Sequence, residues 1–77
     1  MTTHRYDARG LRCPLPVLRA RKLLGDMAPG AELEIVADDP MAAIDLPVFA
    51  REAGHALVES REDGDGATLY RLRRGAG

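Results

Sequence analysis

Seventy-seven residues allow one thin-cored domain, expected to span 1–77, and no apolar run approaches the ~20 residues of a membrane-spanning helix. The single cysteine excludes an internal disulfide, and the polar start from Met1 to Arg9 has no secretory h-region, so a complete, cytoplasmic chain is expected. A net charge of −1 and three aromatics without Trp argue against direct nucleic-acid binding, which draws on basic surfaces and base-stacking platforms.

In chain order, Thr3 to Asp7 reads as a short first strand. Gly10-Leu11-Arg12-Cys13-Pro14 leads into a helix from about Pro14 to Met27. On a helical wheel Val17, Ala20, Leu23, Leu24 and Met27 share one side, opposite Arg19, Lys22 and Asp26. Gly25 interrupts that pattern, and Pro29-Gly30 ends it. Glu32 to Ala37 alternates Glu32 and Glu34 outward with Leu33 and Ile35 inward, as a half-wet strand does. Asp38-Asp39-Pro40 supplies turn and cap chemistry for a second helical segment, about Met41 to Ala53, closed by Gly54. Pro47 falls inside it, which leaves open a turn followed by a helix capped by Asp45. His55 to Arg61 and Ala67 to Arg73 read as strands joined by the turn-rich Glu62-Asp63-Gly64-Asp65-Gly66. The sum is β-α-β-α-β-β, an α/β (α+β) arrangement in which two helices cover one face of a small mixed four-stranded sheet.

Cys13 stands out because of its neighbours. Proline favours the first helical position, so Pro14 there makes Cys13 the N-cap, with its sulfur over the positive helix end. Thiolates are stabilised in that position, and Arg12 adds a nearby positive charge, so a lowered Cys13 pKa is expected. Pro16 at the third helical position removes the N–H that such a sulfur would accept from, leaving chiefly Leu15 as donor. A site so poor in N–H groups suits neither an oxyanion hole nor an anion cradle. What it permits is attack on a sulfur already activated by another protein, then surrender of that sulfur. The competing reading, a free cysteine as an inert buried hydrophobe, is weakened by Cys-Pro-x-Pro at a helix start.

The charges are segregated. Arg9, Arg12, Arg19, Arg21 and Lys22 lie between Ala8 and Gly25 without an acid, whereas Asp26 to Tyr70 carries eleven acids against Arg51 and Arg61. Arg19 and Lys22 on the polar helix face are therefore candidates for partner docking, with an ordinary solvated face as the alternative. Arg21 falls among apolar positions and must either snorkel or pair with an acid such as Asp45. His4, His55 and Cys13 match no zinc spacing. No metal or cofactor is expected.

Asp7-Ala8-Arg9-Gly10-Leu11-Arg12-Cys13-Pro14-Leu15-Pro16-Val17 resembles the signature of the TusA/SirA family of sulfur carriers. Arg21-Lys22, Pro29-Gly30, Ala37-Asp38-Asp39-Pro40, Asp45-Leu46-Pro47-x-Phe49 and Gly54-His55 resemble that family's later landmarks, in order. The resemblance runs from Tyr6 to about Arg74. It implies a two-layer α/β sandwich like the C-terminal domain of the third bacterial initiation factor. It further implies a sulfurtransferase whose Cys13 accepts sulfane sulfur as a persulfide, with Arg12, Pro14 and Pro16 as supporting motif residues. A cysteine desulfurase or rhodanese would be the donor, and a downstream sulfur-relay protein the acceptor. The family's pathways are tRNA 2-thiouridine formation, sulfur oxidation and molybdenum-cofactor assembly. Leu15 stands where the tRNA-thiolation branch has an acid, which leaves the pathway open.

Two alternatives stand beside this reading. One is a non-catalytic module contacting RNA through Arg71, Arg73 and Arg74; the other is a one-cysteine redox regulator.

Overall fold

A computed structural model of the chain describes residues 3–76. Its elements are β1 (Thr3–Asp7), α1 (Leu15–Gly25), β2 (Glu32–Ala37), α2 (Ala42–Ala53), β3 (Ala56–Glu62) and β4 (Thr68–Arg73). They follow the expected order and form one mixed sheet of four strands, ordered β1-β2-β4-β3. β1 runs parallel to β2, with Thr3 opposite Glu32 and Asp7 opposite Val36. β4 lies antiparallel to both β2 and β3, and a register shift between Leu57 and Glu59 puts a bulge in β3.

Register sorts the side chains by face, because successive residues of a strand point to opposite sides. Leu33 pairs with Leu72 and Ile35 with Tyr70, and all four lie in the main core with Ala37. α1 adds Ala20 and Leu24 to it, and α2 adds Ala42, Leu46, Phe49 and Ala50. These are the i, i+4 and i, i+4, i+7, i+8 spacings of helices buried along one stripe. Both helices therefore cover the same face of the sheet. Val17, Leu23 and Met27 pack at its margin, and Arg19, Lys22 and Asp26 are exposed, so the wheel read from the sequence holds.

The opposite face carries a small apolar cluster of Val36, Ala67 and Leu69 and a ladder of ion pairs. Arg5 lies 3.6 Å from Glu34, Arg73 lies 3.0 Å from Glu32, and Arg71 reaches Glu32 at 3.7 Å and also pairs with Glu59. Alternating charge across neighbouring strands keeps this face polar without accumulating repulsion.

Several ends shift by one residue, among them the starts of α1, α2, β3 and β4, and two readings of the helices change further. α1 stops at Gly25, two residues before Met27, where the Asp26 N–H turns back to the Leu23 carbonyl at 3.1 Å. Gly25 is thus the last helical residue and no interior blemish. α2 runs uninterrupted through Pro47, which resolves the open choice against a separate helix capped by Asp45. The missing N–H leaves only the Ala43 carbonyl without its helical partner, and Ala43 is exposed, where water can serve.

The carboxyl-terminal segment closes the far end of the helical layer. Gly54 ends α2 in the left-handed conformation, φ 81°, as glycine does without steric cost. Gly75 packs so closely on it that a Cβ would stand 1.8 Å from the Gly54 carbonyl oxygen. Gly75 N–H donates to His55 Nδ1 at 2.9 Å, and Arg74 Nε donates to the Leu24 carbonyl at 2.8 Å.

Candidate functional site

β1 and β2 are parallel neighbours, so their carboxyl ends lie at the same edge of the sheet. The segment after β1 carries Gly10, Arg12 and Cys13; the segment after β2 carries Asp38, Asp39 and the start of α2. The two segments meet there. Asp38 Oδ1 accepts from Gly10 N–H at 3.0 Å and from Arg12 Nη1 at 3.3 Å. Asp39 Oδ2 accepts from Cys13 N–H at 2.6 Å, and its Oδ1 accepts from Met41 N–H at 3.1 Å. Asp39 is the one buried charged side chain among the described residues, 8% exposed. The two donated N–H bonds hold its carboxyl below the usual carboxylate range. At the loop's start Asp7 accepts three hydrogen bonds from Arg9, one from its backbone and two from its guanidinium.

The cysteine itself is exposed. Its Sγ–H donates to Asp45 Oδ2 at 3.1 Å. That contact, with some loss of solvation and the Asp45 and Asp39 charges behind it, raises the thiol above its ordinary pKa.

Three expectations about the motif need correction. Cys13 is not the N-cap: Pro14 holds that position, with φ −100° and ψ 17°, and makes no side-chain capping bond. Leu15 therefore opens α1 and Pro16 comes second, and the Leu15 N–H is used by the Arg12 carbonyl at 2.8 Å, so it does not serve the sulfur. The thiol pKa moves up, where helix end and Arg12 were expected to lower it. Arg12 spends its charge on Asp38, and a helix terminus, worth about 0.3–1 kcal/mol at exposed sites, is overridden by a carboxylate in direct contact. The Pro16 side chain is fully buried, whereas the cysteine is exposed.

Arg19 and Lys22 are exposed and, among the described residues, make no ion pair. With Leu15 they follow an i, i+4, i+7 spacing along one face of α1. Arg21 settles between its two expected options by placing its guanidinium 5.6 Å from the centre of the Phe49 ring, a cation–π contact in place of a pair with Asp45. His55 lies at the far end of the helical layer and not with Cys13. Among the described residues no group of three or more His, Cys, Asp or Glu is disposed to hold a metal ion. No helix among them is long and apolar enough to cross a membrane.

A groove of about 700 Å³ runs between the helices from Pro14 and Asp45 at the cysteine end to His55 and Arg74 at the other. Leu15 and Leu18, soon after the cysteine in the chain, and Met41, Ile44 and Val48, flanking its partner Asp45, are also exposed. Sequence reasoning missed Asp45 as the thiol's partner, and took Asp38 and Asp39 for turn and cap residues only. A signal was available: Asp45 is the only charge between Pro40 and Ala50, and a lone acid in an apolar helical stretch needs a partner.

The family described as Sulfurtransferase TusA matches residues 4–74. Relatives include a sulfur carrier protein TusA of Allochromatium vinosum, 48% identical over 75% of this chain and 76% of its own. The sulfur carrier protein TusA of Pseudomonas paraeruginosa is 43% identical over 91% of this chain and 87% of its own. In three dimensions the chain is similar to the crystal structure of a SirA-like protein from Desulfitobacterium hafniense, with a TM-score of 0.81 and 29% identity over 97% of this chain and 99% of that one.

Proposed function

The chain belongs to the TusA sulfurtransferase family, and from that premise we propose that it carries sulfur as a persulfide on Cys13. A donor persulfide, on a cysteine desulfurase or a rhodanese, gives up its outer sulfur to Sγ. A downstream relay protein then removes it. Each transfer exchanges one S–S bond for another, so no cofactor is needed to accept electrons.

One observation carries the reading: the only thiol of the chain is exposed while its own backbone N–H is held by the buried Asp39 carboxylate. A carrier must offer its sulfur to two different proteins in turn. That favours an open nucleophile on a backbone that does not move. Arg12, through Asp38, stiffens the same loop, and Pro14 and Pro16 fix the chain on its far side. The exposed apolar side chains of α1 and α2 supply area for a protein partner, and Arg19 and Lys22 supply charge to steer an acidic one.

The RNA-contacting alternative loses its sequence support. Arg71 and Arg73 are paired with glutamates on the open sheet face, and Arg74 donates to the Leu24 and Gly75 carbonyls.

The test is intact mass after incubation with a cysteine desulfurase and cysteine, or with a rhodanese and thiosulfate. Wild type should gain the mass of one sulfur atom, removable by reductant. Cys13→Ser should gain none while keeping the wild-type circular dichroism, since the cysteine side chain is exposed. Sulfur retained by the Ser variant would place the carrier site elsewhere.

A further inference from the structure

Thiolate, not thiol, attacks sulfur, yet the site holds Cys13 as a thiol, its Sγ–H directed at Asp45 Oδ2. The proton must therefore leave as the sulfur reacts. Two acids lie close enough to matter, and their surroundings differ. The Asp39 carboxylate already accepts the N–H groups of Cys13 and Met41, one on each oxygen. Those bonds favour its charged form and oppose taking a proton. Among the described residues Asp45 receives only the thiol and pairs with no cation: Arg12 is turned to Asp38, and Arg21 lies over Phe49. Asp45 also lines the groove mouth next to Pro14, so the carboxylate is open to whatever docks there.

We propose that Asp45 is the proton acceptor for Cys13 during sulfur uptake, an inference that rests on the carrier reading above. As the Sγ lone pair attacks the outer sulfur of the donor persulfide, Asp45 takes the Sγ proton. The Sγ–S bond forms and the donor's S–S bond breaks, its electron pair remaining on the donor sulfur. Asp45 then delivers the proton to that sulfur. The products are a donor thiol and a Cys13 persulfide, with no net oxidation and no co-reactant. Before docking, the same carboxylate suppresses thiolate and so protects an exposed cysteine from stray electrophiles and oxidants. Asp39 is the positioning residue: it holds the backbone on which the proton transfer is aligned.

This assignment makes two rates move in opposite directions. Asp45→Asn removes the charge that disfavours thiolate, so iodoacetamide alkylation at pH 7 should accelerate and its pH inflection should fall. The amide accepts no proton, so single-turnover loading from a sulfur-loaded rhodanese at pH 7 should slow, by at least about 10-fold. General-base catalysis typically supplies ~10²–10⁴, of which the extra thiolate offsets a part. Asp45→Glu should load faster than the Asn variant. If Asn does not fold, Asp45→Ser removes the carboxylate equally and is read the same way. Loading that accelerates in step with alkylation would show that Asp45 acts only as a repelling charge, and would overturn the proposal while leaving the carrier intact. Glu loading no faster than Asn would overturn it too. Wild type that takes no sulfur from rhodanese or desulfurase would overturn the carrier reading and the Asp45 role together.

Discussion

At the scale of single residues, the two prolines that flank Leu15 do different work. Pro14 holds the N-cap position of α1 without a capping bond, and Pro16 is buried in the helix's first turn. Replacing Pro16 by Ala removes roughly two buried methylenes, so a loss of about 1–2 kcal/mol is expected at ~0.8 kcal/mol each. In a domain this small that lowers Tm by roughly 4–16 °C. The alkylation profile of Cys13 should stay where it is, because the sulfur bonds to Asp45 and not to the start of the helix. Thermal melting with a pH–alkylation profile checks both halves. An inflection moved by the Ala variant would mean that Pro16 governs the thiol after all.

Among the elements, α1 presents a basic face that makes no ion pair among the described residues. Arg19 and Lys22 are exposed on it, spaced to continue the line that Leu15 begins near the cysteine. Charge on the rim of a docking surface acts chiefly on association rate, and salt screens it over about 10 Å at 0.1 M. Reversing both residues to Glu should slow sulfur loading from an acidic donor at low salt, and added salt should narrow the gap. Loading rates measured against donor concentration at two ionic strengths provide the check. Equal second-order rates at low salt would make this a plain solvated face.

For the whole molecule, the fastening of the carboxyl-terminal segment brings a pH dependence. His55 Nδ1 accepts the Gly75 N–H, and it can do so only while unprotonated. Burial and the nearby Arg74 charge lower its pKa below 6.5. The unfolded chain then binds the proton first as pH falls. Stability from this group is complete above about pH 6.5, declines below it, and stops changing once pH passes the lowered native value. Melting temperature followed from pH 7.5 to 5.5 should fall for wild type and fall less for His55→Asn. The amide oxygen of Asn stands where Nδ1 does, can keep the Gly75 bond and does not titrate here. Identical slopes would assign the pH dependence to other groups.

The order of elements was legible because each is dictated locally. The i, i+4 spacing of Ala20 with Leu24, the cap chemistry of Asp38-Asp39-Pro40 with Gly54, the alternation of Glu32 to Ala37, and the glycines of the turn after Glu62 mark helices, strand and hairpin without reference to anything distant. Cys13 was legible for the same reason, flagged by prolines next to it in the chain. The partners of Cys13 were not, because they lie 26 and 32 positions away. Parallel pairing of β1 with β2 brings the two loops to one edge of the sheet, and only then do Asp39 and Asp45 reach the cysteine. The sign of its pKa shift turned on that encounter. Helix end and Arg12 argued for a more acidic thiol from local sequence alone, but a carboxylate at 3.1 Å outweighs a helix terminus and a guanidinium turned toward Asp38. Local physics determined the elements and marked Cys13 as the candidate nucleophile; tertiary contact decided which charge its thiol faces.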